Sequence, residues 1–129
     1  LTYFPSITLV GGAGNTVPVY TTKTARADRI GNRMFVDVIF SGDGGAEGAG
    51  TGQMNIELPA AVSSTAVSQH IGIVGRALNA AAYVSLGGAI SASGTTIALT
   101  QGTNDTAFTG AGQNNTTRKI ELHFEYQVD

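Results

Sequence analysis

Cysteine is absent from this 129-residue chain. Neither disulfide staples nor thiol chemistry can hold it together, so stability must come from packing, assembly or both. Charge is scarce too: Asp, Glu, Lys and Arg supply 12% of the residues, about half the usual share, which argues against long solvated helices. With seven Lys and Arg and a net charge of −2, the chain offers no basic surface for nucleic acid. No apolar run approaches the ~20 residues a membrane-spanning helix needs, so membrane insertion is not expected, and no signal peptide is visible. The chain opens on Leu1 rather than Met, which reads as a processed or partial piece of something longer.

What fills the space is glycine, at 18 positions, together with Thr, Ser, Ala and Asn. This is the composition of short strands and tight turns. Hydrophobic residues reach 42%, enough to bury a core and to exclude disorder, and the length fits one domain, residues 1–129. So few charges leave a weakly polar surface of the kind that a second copy of the same chain covers.

The most regular stretch runs from Arg29 to Pro59. Gly31-Asn32 reads as a two-residue hairpin turn, since both residues accept the positive φ of a primed turn. After it Met34, Val36, Val38 and Phe40 alternate onto one strand face, and Met54, Ile56 and Leu58 repeat the pattern until Pro59 ends it. These two strands are expected to pair across the glycine-rich loop 41–52. Arg26, Arg29 and Arg33 alternate with Asp28 and Asp37, which predicts a salt-paired sheet face.

Further strands follow from the same period: Ile7–Val10, a polar strand from Tyr20 to Ile30, Gln69–Arg76, Ala82–Ile90, Thr95–Thr100 with Ile97 and Leu99 inward, and Arg118–Val128. The glycines Gly72 and Gly75 predict a bulge or a close backbone approach. Ala77–Ala82 reads as a hairpin connection, 60–68 as a loop, and 101–117 as a long polar loop on which binding would sit. Short strands with evenly spaced turns and no convincing helix predict an all-β, antiparallel β-sandwich, jelly-roll-like, with a closed barrel as the alternative.

Ile30-Gly31-Asn32-Arg33, Ser41-Gly42-Asp43-Gly44-Gly45 and Ile56-Glu57-Leu58-Pro59, followed by the closing run Leu122–Val128, resemble the C-terminal domain of bacteriophage and prophage tail-fibre and receptor-binding proteins. The resemblance is specific over Tyr20 to Pro59, and Ala27 stands where that family often has Tyr. It implies a homotrimeric β-sandwich head on a virion tail appendage, joined to other tail proteins and attaching to a host-surface glycan or protein, often a saccharide. The shared motif is structural and carries no binding residue with it.

The remaining polar residues offer few candidates for chemistry. His123 lies between Glu121 and Glu125 on one strand face, but neighbours on such a face stand ~6.6–7 Å apart, so an exposed or subunit-facing polar strip is expected rather than a metal site. Asp43 and Glu47 lack the alternating acidic ligands of a calcium loop. Asp37 and Glu57 alternate outward, and ion pairing explains them more simply than a glycosidase pair. No serine has a positioned base. The expectation is therefore a protein without enzymatic activity, cofactor or metal. Binding is assigned to Tyr83 as the aromatic platform and to Asn104, Asp105, Gln113, Asn114 and Asn115 as hydrogen-bonding groups in the long loop.

Overall fold

In a computed structural model the described residues are 1–102 and 104–129. The nine strands are β1 (Ile7–Val10), β2 (Thr22–Ile30), β3 (Arg33–Ser41), β4 (Gln53–Glu57), β5 (Gln69–Asn79), β6 (Ala82–Ile90), β7 (Thr96–Gln101), β8 (Thr106–Ala107) and β9 (Arg118–Gln127). One short 3₁₀ turn, Gly110–Gln113, precedes β9. The fold is all-β, antiparallel and sandwich-like: a single sheet in the order β1-β4-β7-β6-β5-β9-β3-β2, with β8 added beside β7, curls over one core. The chain before β1 returns to the far edge, where Thr2 bridges Arg26 of β2 and the Ala27 amide donates to the Leu1 carbonyl at 2.8 Å.

The alternation read in the sequence is what fills that core. Val36, Val38 and Phe40 of β3 and Ile120, Leu122 and Tyr126 of β9 point inward, where they join Met54 and Ile56 of β4 and Ile97 and Leu99 of β7. The Gly31-Asn32 turn is formed, with Ile30 paired to Arg33 and Gly31 at φ 61°. One expectation fails: β3 and β4 are not paired. β3 lies between β2 and β9, whereas β4 lies between β1 and β7. The 41–52 segment therefore crosses from one part of the sheet to another instead of closing a hairpin. Alternation assigns a face to each strand and says nothing about its neighbour.

Other differences are smaller. The β5–β6 connection is only Ala80-Ala81, because Ala77–Asn79 extend β5 and pair with Ala82–Val84. The polar strand starts at Thr22 rather than Tyr20. The 101–117 segment is not a plain loop, since β8 and the 3₁₀ turn occupy part of it. The expected bulge is present in β5: Ile71 pairs with Gly88 and Gly75 with Leu86, so Gly72, Ile73 and Val74 stand opposite Gly87 alone. A Cβ on Gly87 would lie 2.7 Å from the Ile71 carbonyl oxygen, so the bulge needs glycine across from it.

Candidate functional site

The β5 bulge and the strand beside it shape the surface. Val74 is turned into the core while Ile73, 76% exposed, stands out from the sheet. β7 ends at Gln101 opposite Leu86, and β8 folds back on Thr100 and Gln101. The first half of β6, Ala82 to Ser85, therefore runs on beside β5 with no strand partner on its β7 side among the described residues, and its residues are exposed. Between these pieces lies a concavity of about 940 Å³ lined by Gly72, Ile73, Val84, Ser85, Gln101, Gly102, Asp105 and Thr106. Its walls combine two aliphatic side chains with hydroxyl, amide and carboxylate groups, the mixture that ligand sites use.

Tyr83 sits next to this concavity on β6, half exposed, with the Arg76 guanidinium 4.3 Å from its ring centroid. Arg76 is held in turn by Glu121 Oε2 at 3.2 Å, and Lys119 Nζ reaches Glu121 Oε1 at 2.6 Å. The hydrogen bond from Lys119, with help from Arg76, holds the Glu121 carboxyl below its ordinary pKa. The guanidinium covers one face of the Tyr83 ring and leaves the half-exposed remainder to solvent. Asp105 is held at φ 50° in the turn before β8, and its Oδ2 lies 3.9 Å from His70 Nδ1. Asn104 is exposed in the same turn.

A second, smaller concavity of about 510 Å³ opens on the other side of the bulge, between Arg33, His70, Ile71, Gly72, Ile73, His123, Phe124 and Glu125. It exists because β9 pairs with β5 only as far as Leu122 and Gly75, after which the two strands diverge. Its polar side chains already have partners, His70 facing Asp105 at 3.9 Å. Arg33 meets Glu125 at 3.1 Å, and His123 Nδ1 meets Asp37 Oδ1 at 2.6 Å. The Glu121–His123–Glu125 face is thus divided among four partners, Arg76, Lys119, Asp37 and Arg33. Of the arginine-rich face, Arg33 pairs with Glu125 while Arg29 donates to the carbonyls of Gly31 and Asp129.

Three predicted binding residues lie elsewhere. Gln113 is fully buried: its Oε1 accepts from the Tyr20 hydroxyl at 2.8 Å, and its Nε2 donates to the carbonyls of Leu78 and Gly112. It is a core amide that joins three segments, which corrects its assignment to a binding loop. Asn114 Oδ1 accepts from Asn79 Nδ2 at 2.8 Å, and Asn115 Oδ1 accepts from the Thr117 amide at 2.9 Å, so both serve turn and hairpin structure. Tyr83, Asn104 and Asp105 are the members that the fold leaves at or beside the concavity. Of the other lining residues, Gln101, Gly102 and Thr106 lie in the 101–117 segment expected to carry binding, and Gly72 is the expected bulge; Ile73, Val84 and Ser85 carried no such signal.

The glycine-rich segment proves to be well held. Thr16 and Ala49 exchange backbone bonds, the Val19 amide donates to Ala46, and Asn15 Oδ1 accepts from the Gly52 amide at 2.9 Å. Arg118, whose side chain is completely buried, donates to the carbonyls of Val19, Ala46 and Asn115 and lies 3.4 Å from Asp43. Asp43 therefore serves this clamp. Comparison with protein-family models, curated proteins and solved structures finds no match to the chain.

Proposed function

We propose that this chain is a virion attachment head: a homotrimeric β-sandwich on a phage tail appendage, seated on other tail proteins, that binds a saccharide on the host surface. The reading is of a binding module, not a catalyst. The resemblance over Tyr20 to Pro59 supplies the biological setting. The observation that carries the binding role is the concavity beside the β5 bulge, with aliphatic walls at Ile73 and Val84 and polar groups at Ser85, Gln101, Asp105 and Thr106; Tyr83 precedes Val84 on the same strand. Sugars present apolar C–H faces and hydroxyl edges together, and such a lining suits both.

A second reading, a purely structural virion piece, draws on a different observation. Phe35 and Ile39 are 41% and 38% exposed on the outer face of β3 and flank the Asp37–His123 pair. Partly apolar, partly ion-paired faces of this kind are material for contact between copies. Light scattering behind a sizing column, at micromolar and nanomolar chain concentration, is expected to give the mass of three 13.2 kDa chains. Fluorescently labelled chain should then coat host cells from a panel of Gram-negative and Gram-positive bacteria, and Tyr83→Ala should weaken that coating by about tenfold, the loss of one stacking contact. A stable monomer that coats no cell would overturn the proposal. A trimer that coats none would favour the structural reading.

A further inference from the structure

We infer that the concavity sorts saccharides by charge, accepting uncharged sugars and rejecting those that carry a carboxylate, and that Asp105 is the group that does the sorting. The inference rests on the attachment reading above. Its ground is the charge inventory of the lining. Ser85, Gln101 and Thr106 are neutral hydrogen-bonding residues, Ile73 and Val84 are apolar, and Asp105 is the one formally charged side chain among the lining residues. No Lys or Arg is in the set.

The cations nearby are occupied. Arg76 is shared between Glu121 and the face of Tyr83, Lys119 is bound to the same Glu121, and Arg33 is bound to Glu125. The remaining basic group is His70, whose Nδ1 lies 3.9 Å from Asp105 Oδ2 and whose side chain is well exposed. An exposed imidazole at 3.9 Å gives weaker compensation than a guanidinium in direct contact. A ligand carboxylate in this concavity would therefore meet a carboxylate that, among the described residues, only the exposed His70 faces, and two acceptor-only groups of like charge cannot hydrogen-bond.

A neutral sugar meets the reverse situation. Two adjacent hydroxyls can donate to the two oxygens of Asp105, and a charged acceptor makes these the stronger hydrogen bonds of the site. The C–H face of the ring would lie against Ile73 and Val84, which form the apolar part of the lining. Asp105 takes a φ of 50° in the turn that leads into β8. Asn adopts that conformation as readily as Asp, so Asp105→Asn removes the charge and keeps the turn.

The test uses the full chain and a panel of neutral hexose tetrasaccharides, each matched with the same backbone oxidised at C6 to the uronate. Binding is measured at pH 8 and moderate salt. The wild-type chain is expected to bind at least one neutral member about tenfold more tightly than its uronate counterpart, the discrimination that one like charge at close range provides. D105N should bring the two within about twofold, chiefly by improving the uronate. Equal or tighter uronate binding by the wild type would overturn the inference, and so would a D105N chain that keeps the wild-type ratio. A chain that coats bacterial cells but binds no panel member also overturns it, while leaving the attachment reading in place. A chain that does neither defeats both.

Discussion

At the scale of single residues, backbone proximity decides more than side-chain chemistry. A Cβ on Gly75 would lie 1.8 Å from the Glu121 carbonyl oxygen, because β5 and β9 press together just before they part. A Cβ on Gly72, three residues away, would meet nothing within 4 Å. Gly75→Ala is therefore expected to cost about 2–4 kcal/mol, since the obstacle is backbone and cannot rotate away. Gly72→Ala should stay within about 0.5 kcal/mol of the parent. Urea denaturation of the two variants checks this, and equal costs would show that the bulge is not packed as described. Arg118 illustrates the same scale differently: a fully buried guanidinium is tolerated because carbonyls from three segments accept its protons.

At the scale of elements, β9 is the strand on which the sheet depends, since it pairs with β3 over its whole length and with β5 over its first half. The cross-strand network Arg76–Glu121–Lys119 sits on this junction. Glu121 has a folded-state pKa below its unfolded value, chiefly through the Lys119 hydrogen bond. Its contribution is therefore fully present above the unfolded carboxylate pKa and disappears as pH falls through the folded one. Glu121→Gln should lower stability at pH 7 by about 0.5 kcal/mol, the size of a partly exposed ion pair. The gap between variant and parent should narrow as pH falls below the ordinary carboxylate range and the carboxylate protonates. Thermal melts across that range measure it, and a gap independent of pH would mean that packing, not charge, is what Glu121 supplies.

At the scale of the whole molecule, a single curled sheet shares one core, so the fold should open from its surfaces inward. Amides of Val36 and Val38 in β3 and of Ile120 and Leu122 in β9, which carry side chains wholly or almost wholly buried, should exchange slowest with solvent. Those of Ala81 to Ser85, which line the free part of β6, should exchange among the fastest, on the same hairpin that carries Tyr83. Native-state hydrogen exchange followed by NMR reports the order directly. Slow exchange at Tyr83 and Val84 in the isolated chain would mean that this edge is already covered, as it would be by another subunit.

By itself the sequence determined eight of the nine strands described, the faces of the most regular ones and the Gly31-Asn32 turn. Period-two runs such as Met34–Phe40 and Ile120–Val128 put alternate side chains on one side whatever they pack against, and Gly31-Asn32 requires a primed turn locally. It also marked Gly72 and Gly75 as places where a strand could not run straight. Only the tertiary structure decided who pairs with whom. Val36 faces Phe124 across 88 positions, and β4 turns away from β3 to lie beside β7, because backbone hydrogen bonds are alike in every strand and the choice of partner is made by the whole core closing at once. The same limit governed the site. Gln113 looked like a surface amide and is buried, because its surroundings come from Tyr20 and Leu78, distant in the chain. Asp105 and Ser85 line one concavity because β7 ends where β6 continues, a relation of lengths that no local pattern carries.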